Sequence, residues 1–138
     1  MIKKINLACG NNYIVSAEWL NIDFESNTKH VKKINLLDKL PFPNNSFEVI
    51  YSSHFIEHID CDKVHSFLLE CNRILKPGGS IRIVTPDFEK LCKGYLSHLE
   101  KNEYEKKEFM MISILDQLVR KKSGGQLRDK IIKYKNSD

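Results

Sequence analysis

The sequence has few of the residues that build cross-linked, metal-bound or membrane-spanning proteins. Its four cysteines, at positions 9, 61, 71 and 92, form no CxxC pair, so neither a zinc knuckle nor a redox pair is indicated. We expect free thiols in a reducing compartment. No apolar run approaches the roughly 20 residues of a membrane helix, and the N-terminal run is too short and polar for a secretory signal. We therefore expect a cytoplasmic protein without membrane contact.

An excess of one charge is also missing from most of the chain. Residues 1–88 carry equal numbers of basic and acidic side chains, so the net charge of +4 comes from residues 89–138. The basic tail at residues 120–135 is the feature that favours nucleic acid. It contains one aromatic residue, Tyr134, so base stacking is unsupported and a solvated helix face is the simpler interpretation. We do not expect a nucleic-acid partner.

Hydrophobic periodicity divides the 138 residues into alternating strands and helices. Alternation of apolar and polar residues predicts strands at residues 4–8, 20–24, 31–37, 47–52 and 80–85. Apolar residues at helical spacing over residues 64–75 predict a helix that Asp60 or Asp62 caps and that Pro77-Gly78-Gly79 ends. Similar spacing predicts helices over residues 91–99 and 111–119, and residues 126–135 are a candidate for a short basic helix after a break at Ser123-Gly124-Gly125.

This order of elements predicts one α/β domain with a mostly parallel sheet of about five strands, helices on both faces and a helical C-terminal segment. Residues 9–19 alone join the first two strands, so a helix there is limited to about two turns. We assign residues 1–87 to a core. Residues 88–138 form the helical segment, either as part of the same domain or as a cap over a substrate or partner.

Candidate ligand groups follow the predicted strands. Gly10 lies in the turn after the first strand, and amides at the start of a following helix could receive a carboxylate. Asp23 ends the second strand, where a carboxylate can accept from both hydroxyls of a ribose, as an acid does in dinucleotide folds. Asn35, which closes the third strand, or Asp38, which follows it, can accept from an adenine amino group. Each has an ordinary alternative: a tight turn, a surface aspartate and turn capping, respectively.

The fourth strand is followed by the pattern HxxEH, formed by His54, Glu57 and His58. This pattern also occurs in inverted zinc peptidases. Zinc there requires two histidines on a stable helix and a further ligand, whereas this motif comes directly after a strand. We therefore expect no metal and favour a pocket-lining role for the two histidines, with helix-face packing as the alternative for His58. A dinucleotide oxidoreductase is disfavoured because ACGNNY supplies one glycine of a GxGxxG turn.

Four segments, LACG, WLNID, LPFPNNSFEVIYSSHFIEHI and RILKPGGSIRIVTPD, carry a family resemblance. Over roughly residues 3–95 the chain resembles the class I S-adenosylmethionine-dependent methyltransferases, above all the methyltransferase type 11 group. The resemblance implies a Rossmann-like fold and S-adenosylmethionine as the cofactor. It also implies methyl transfer to an acceptor, which we expect to be a small molecule.

The resemblance also implies roles for individual residues. Asp23 would hold the ribose hydroxyls with Phe24 beside the adenosine, and Asn35 and Leu36 would meet adenine. The methionine end would be enclosed by Ala8, Cys9, Gly10, Asn11, Ser52, Ser53 and His54. Position alone makes His54 and His58 the first candidates for a catalytic base, with Glu57 third.

The sequence departs from the family pattern in two places that matter for function. Ala8 stands where glycine is usual, and Asn35 stands where aspartate is frequent. Nothing after Asp87 resembles the strands that complete the sheet in this family. We expect either a fragment or a shortened domain whose fifth strand is covered by its own helices, a second copy or a partner chain. A chain that needs such a partner would be a cofactor-binding or assembly module rather than a complete enzyme.

Overall fold

The structure, a computed structural model, describes residues 2–119, and the side chains of residues 2–116. The basic tail, the helix expected at residues 126–135 and the expected break before it lie outside the described residues. The chain divides into two compact units, with the boundary between Thr85 and Pro86.

The first unit is built on a five-stranded sheet in which every pairing is parallel. Its strands are β1 (Lys4–Leu7), β2 (Trp19–Asp23), β3 (Val31–Lys33), β4 (Phe47–Ser53) and β5 (Leu75–Val84). Their order in the sheet is β3-β2-β1-β4-β5. The predicted α/β, Rossmann-like fold is confirmed.

The core of this unit is one apolar cluster on the central strands. Ile5 and Leu7 of β1 lie level with Ile50 and Ser52 of β4, and the two isoleucines and the leucine are fully buried. The helix α1 (Cys61–Ile74) contributes Phe67, Cys71 and Ile74 to the same cluster. Burial raises the pKa of the Cys71 thiol to about 12, which suits a thiol used as a small apolar core group.

The connection between β1 and β2 corrects one expectation, because it contains no helix. Residues 8–18 form a sequence of turns and extended backbone. The Asn21 side chain holds Ile14 by two hydrogen bonds, accepting from its N–H and donating to its carbonyl, both at 2.8 Å. These bonds satisfy backbone groups that a helix would otherwise pair within itself.

The third strand is shorter than the predicted residues 31–37 and ends at Lys33. The Ile34 N–H still donates to the Asp23 carbonyl at 2.8 Å. One residue later the Asn35 side-chain oxygen accepts from the Leu37 N–H at 3.1 Å, which bends the chain into a turn. A local side-chain bond therefore replaces the strand ladder.

The end of α1 is also earlier than predicted. The helix stops at Ile74, and Leu75 already pairs with Phe47 as the first residue of β5. Pro77 still contributes, because a residue before proline is disfavoured in helical conformation. Asp60 occupies the N-cap position, but its side chain makes no capping bond and instead forms an ion pair with Lys63 at 3.5 Å.

A charged cluster fixes the proline-rich loop that precedes β4 against α1. The Arg73 guanidinium donates to the carbonyls of Leu40 and Phe42 and to the Glu70 carboxylate, which also accepts from the Leu40 N–H at 2.6 Å. The hydrogen bond from Arg73 lowers the pKa of Glu70. Arg73 of the RILKPGG segment thus holds the backbone of the LPFP segment in place.

The second unit, as far as it is described, is a hairpin of α2 (Phe88–Glu100) and α3 (Tyr104–Val119). Asp87 caps α2 by accepting from the Lys90 N–H at 2.8 Å. The helices approach closely at Gly94, where an added Cβ would lie 2.8 Å from the Met110 methyl carbon. Both helices agree with the sequence prediction, although each begins before its predicted first residue.

Candidate functional site

The turn after β1 and the end of β2 are joined by a hydrogen bond at the carboxyl edge of the sheet. The Gly10 N–H donates to Asp23 Oδ2 at 2.8 Å, and the Glu25 N–H donates to Asp23 Oδ1 at 3.2 Å. Each carboxylate oxygen can accept two hydrogen bonds and here accepts one, so each retains a lone pair for a ligand hydroxyl. Gly10 and Asp23, which the sequence predicted as separate sites, therefore lie together, and the Gly10 N–H orients the Asp23 carboxylate as an acceptor.

Two neighbouring strands end in backbone conformations that are costly for residues with a side chain. Ala8 follows β1 with φ of 54°, and His54 follows β4 with the same φ. Their strands are adjacent, with Leu7 level with Ser52. Left-handed conformations cost a residue other than glycine about 1–2 kcal/mol and concentrate at functional sites. Both residues therefore lie at the carboxyl edge of the sheet, where Asp23 ends β2.

The expected helix start is not available to bind a carboxylate, because no helix follows Gly10. The N–H groups of Cys9, Gly10, Asn12 and Ile14 donate within the fold, to Ile22, Asp23, Cys9 and Asn21 respectively. This part of the sequence prediction is wrong. The exposed Asn11 lies within the same turn.

Cys9 is buried beside this turn and is chemically quiet. Burial, reinforced by the nearby Asp23 carboxylate, raises the pKa of its thiol to about 11. The thiol therefore remains protonated at neutral pH, and reactivity as a thiolate is suppressed. Cys9 can shape the turn but is unsuited to nucleophilic chemistry.

The residues expected to meet adenosine flank the end of β3. Phe24 directly follows Asp23 and is 59% exposed, so its ring is available for contact. Leu36 is buried in the core cluster. The Asn35 oxygen accepts from the Leu37 N–H, and its amide donates to Asp38 Oδ2 at 2.8 Å. Asn35 is thus already engaged, and the exposed Asp38 carboxylate lies directly beside it.

The HxxEH segment forms a short 3₁₀ turn, Ile56–His58, rather than an α-helix. Glu57 Oε1 lies 3.3 Å from His54 Nδ1 and 4.0 Å from His58 Nε2. The Glu57 and His58 side chains are 19% and 21% exposed, whereas His54 is 43% exposed. The Glu57 carboxylate therefore lies within ion-pair distance of both imidazoles, and the His54 imidazole is the more exposed of the two. Within the described residues, no group of three or more side chains is arranged to hold a metal ion.

Ser52 supplies the remaining polar group at this edge. It is 1% exposed, and its Oγ has no hydrogen-bond partner among the described residues. A buried hydroxyl without a partner costs about 1–3 kcal/mol, so Ser52 Oγ is a candidate to hydrogen-bond a ligand at this edge. Ser53 follows it and is half-buried.

The sequence analysis missed two buried amides, Asn6 and Asn21, which lie opposite each other on β1 and β2. A polar residue between two core residues of a strand was the available signal: Asn6 lies between Ile5 and Leu7, and Asn21 precedes Ile22. Strand alternation by itself assigns such a polar residue to the outward face.

A parallel sheet with a glycine turn after β1 and an acid at the end of the next strand in the sheet defines the class: a Rossmann-like domain with a nucleotide-type cofactor site. The particular family follows from comparison. Residues 8–83 match the model of the type 11 family described as a methyltransferase domain, and this chain belongs to that family. The predicted membership and its S-adenosylmethionine cofactor are confirmed.

Solved structures share the fold. An S-adenosylmethionine-dependent methyltransferase from Archaeoglobus fulgidus is 20% identical, with a TM-score of 0.56 over 69% of this chain and 51% of that one. The DhpI–SAM–HEP complex is 17% identical, with a TM-score of 0.50 over 66% of this chain and 50% of that one. This chain thus spans about half the length of these structures, and such identities show the fold alone. No curated protein is significantly similar in sequence.

Proposed function

We propose that this chain is an S-adenosylmethionine-dependent methyltransferase that acts on a small-molecule acceptor. The observation that carries the proposal is the Asp23 carboxylate, held by the Gly10 N–H at 2.8 Å at the carboxyl edge of a domain of the methyltransferase family. The fit to the cofactor is chemical. A ribose offers two adjacent hydroxyl donors, and Asp23 offers one remaining acceptor position on each oxygen.

The family resemblance supplies the other proposed contacts. Phe24 would pack against the adenosine, and Asn35 with Leu36, supported by the Asp38 carboxylate, would meet adenine. Ala8, Cys9, Gly10 and Asn11 would line the methionine end from β1, and Ser52, Ser53 and His54 from β4. The buried Ser52 hydroxyl would gain the partner that the described residues do not give it.

The chemistry asked of the protein is mainly alignment and exclusion of water. The bound cofactor supplies an activated methyl group, so the chain has to orient the acceptor and remove its proton where the acceptor carries one. His54 is the candidate base because it is the more exposed imidazole beside Glu57. His58 is second, and Glu57 then serves as the carboxylate that stabilises a protonated imidazole.

The first prediction concerns Asp23. Asp23→Asn replaces one acceptor oxygen by a donor, so a ribose hydroxyl loses a hydrogen bond to a charged group, worth about 1.5–3 kcal/mol. We expect the Kd for S-adenosylmethionine, measured by calorimetry, to rise about 10- to 100-fold. Glu18→Gln is the matched control, because Glu18 precedes β2 at the opposite edge of the sheet and forms an exposed pair with Lys4. Absence of cofactor binding by the unmodified protein would refute the proposed function.

The second prediction concerns His54. Once an acceptor is found in a panel of small hydroxyl, carboxyl, amine and thiol compounds, His54→Ala should lower kcat at saturating substrate by about 100-fold or more, as loss of a general base does. His65→Ala is the control, since His65 is exposed on α1. Unchanged turnover in His54→Ala would exclude His54 as the base and move the assignment to His58.

One observation favours a second candidate, a cofactor-binding module that acts with another chain. Among the described residues β5 pairs with β4 alone, and its Ile81 is 42% exposed. In this alternative, residues 1–87 bind the cofactor, while residues 88–138 form a cap over substrate or partner; exposed apolar residues such as Leu96 and Leu115 suit that role. Cofactor binding without turnover on any acceptor would support it.

A further inference from the structure

The proposal concerns the two buried asparagines, which no cofactor contact explains. Asn6 and Asn21 are 1% and 3% exposed and lie directly opposite each other in the parallel pair β1–β2. Asn6 Nδ2 donates to Asn21 Oδ1 at 3.2 Å. Burying amides between core strands is unfavourable unless their hydrogen-bonding groups are satisfied, so the pairing requires partners beyond the two side chains.

Asn21 satisfies its whole capacity in this position. Its oxygen accepts from the Ile14 N–H at 2.8 Å and from Asn6, and its amide donates to the Ile14 carbonyl at 2.8 Å and to the His30 carbonyl at 3.3 Å. A side-chain amide has two acceptor lone pairs and two donor hydrogens, and all four are used. The Asn21 side chain thus pairs with both the N–H and the carbonyl of Ile14, as the backbone of a neighbouring strand would.

Asn6 adds a second attachment on the same segment. Its amide also donates to the Asn12 carbonyl at 3.3 Å. Residues 12 and 14 are therefore tied to β1 and β2, while Gly10 is tied to Asp23 at the end of β2. The turn is held on both sides, although no helix follows it.

We propose that Asn21, assisted by Asn6, is a positioning residue that holds the helix-free connection in the shape that presents Gly10 and Asp23 to the cofactor. The inference rests on the proposed function for the identity of the ligand. The positioning role itself does not depend on which ligand binds. The amide pair lowers the entropy of the turn before binding, which is preorganisation. A residue that only stabilised the core would not affect this turn more than any other segment.

The test compares Asn21→Ala with Cys71→Ala, a truncation of a residue 1% exposed in the same core and remote in sequence from the turn. Two quantities are measured: amide hydrogen exchange of Gly10 in the cofactor-free protein, and the Kd for S-adenosylmethionine. Gly10 is the informative amide because its partner is Asp23, not Asn21. Asn6→Ala, which removes two longer bonds, is the milder variant if Asn21→Ala does not fold.

We expect both asparagine variants to exchange the Gly10 amide faster than Cys71→Ala at matched global stability. If a variant populates the binding-competent conformation of the turn only about one-tenth of the time, its Kd for S-adenosylmethionine rises about tenfold. Gly10 exchange that follows global stability alone, or a Kd equal to that of Cys71→Ala, would overturn the inference. If the unmodified protein binds no cofactor, the proposed function fails, and the Gly10 exchange still decides whether the amide pair holds the turn.

Discussion

Two residues, one directly after β1 and one directly after β4, adopt a backbone conformation that is unfavourable for residues with a side chain. Ala8 and His54 both lie in the left-handed region, which favours glycine. At Ala8 the family resemblance implies glycine, and the structure gives the reason: the chain must turn away from β1 within one residue. At His54 the same turn brings an imidazole to the edge of the sheet, which a glycine could not supply.

The residue-scale prediction is that Ala8→Gly stabilises the protein. Relief of the left-handed alanine gains about 1–2 kcal/mol, and the added freedom of the unfolded chain costs about 0.5–1 kcal/mol, so unfolding free energy should rise slightly. Urea denaturation measures this change.

Ala17→Gly provides the comparison, since Ala17 is exposed in the same connection and is not among the left-handed residues. It should lower the stability by about 0.4–1 kcal/mol. A loss of stability in Ala8→Gly equal to that in Ala17→Gly would contradict the proposed strain.

Among the elements, β5 differs most from the expected strand. Between its pairs Leu75–Phe47 and Ser80–Val49, β5 advances five residues while β4 advances two. The bulge that absorbs the difference contains Pro77-Gly78-Gly79, which the sequence analysis took as the end of the preceding helix. The strand begins at Leu75, directly after α1, and its regular pairing with β4 resumes beyond the bulge at Ser80.

The element-scale prediction separates the two glycines of this bulge. A Cβ at Gly79 would lie 2.8 Å from Leu75 Cδ1, 2.9 Å from the Lys76 carbonyl oxygen and 3.0 Å from that of Glu48. Gly78 has φ of 77° and nothing within 4 Å of the position of a Cβ. We expect Gly79→Ala to cost about 1–3 kcal/mol by overpacking against backbone.

Gly78→Ala should cost about 1–2 kcal/mol, from backbone strain alone. Thermal unfolding of the two variants tests this, and the sharper readout is a crystal structure: Gly79→Ala should displace the β4–β5 pairing near Glu48, whereas Gly78→Ala should not. The reverse pattern would contradict the different surroundings assigned to the two glycines.

At the scale of the whole molecule, the chain corresponds to about half of the solved structures that share its fold. Among residues 2–119 the sheet ends at β5, which presents the exposed Ile81. A strand edge without a neighbour is a template for pairing with another chain. Within the described residues, no helix is long and apolar enough to cross a membrane.

The whole-molecule prediction is self-association through β5. Sedimentation velocity should show a concentration-dependent dimer, and Ile81→Lys should shift it to monomer because a lysine on an edge strand opposes pairing. Leu69→Lys, which changes a 56% exposed residue of α1, is the control. A protein that is monomeric at every concentration would exclude a second copy and leave another chain or segment as the cover for this edge.

The sequence by itself determined the features that depend on neighbours along the chain. Alternation in INL and FEVIYSS gave the strands, and helical spacing gave α1, since burial on one face imposes these periods. The family motifs identified Gly10, in the turn after the first strand, and Asp23, at the end of the second, as cofactor-site residues. These are local signals, so one sequence is enough to interpret them.

Tertiary structure alone decided what depends on partners distant in sequence. Asn21 reaches Ile14 and His30, and this pairing put a turn where a short helix was expected. The early end of β3 and the bulge in β5 likewise depend on which backbone groups found partners. Strand periodicity indicates which face a residue occupies but not the atom it meets there, so the Gly10–Asp23 bond and the Asn6–Asn21 pair emerged only once the strands were placed side by side.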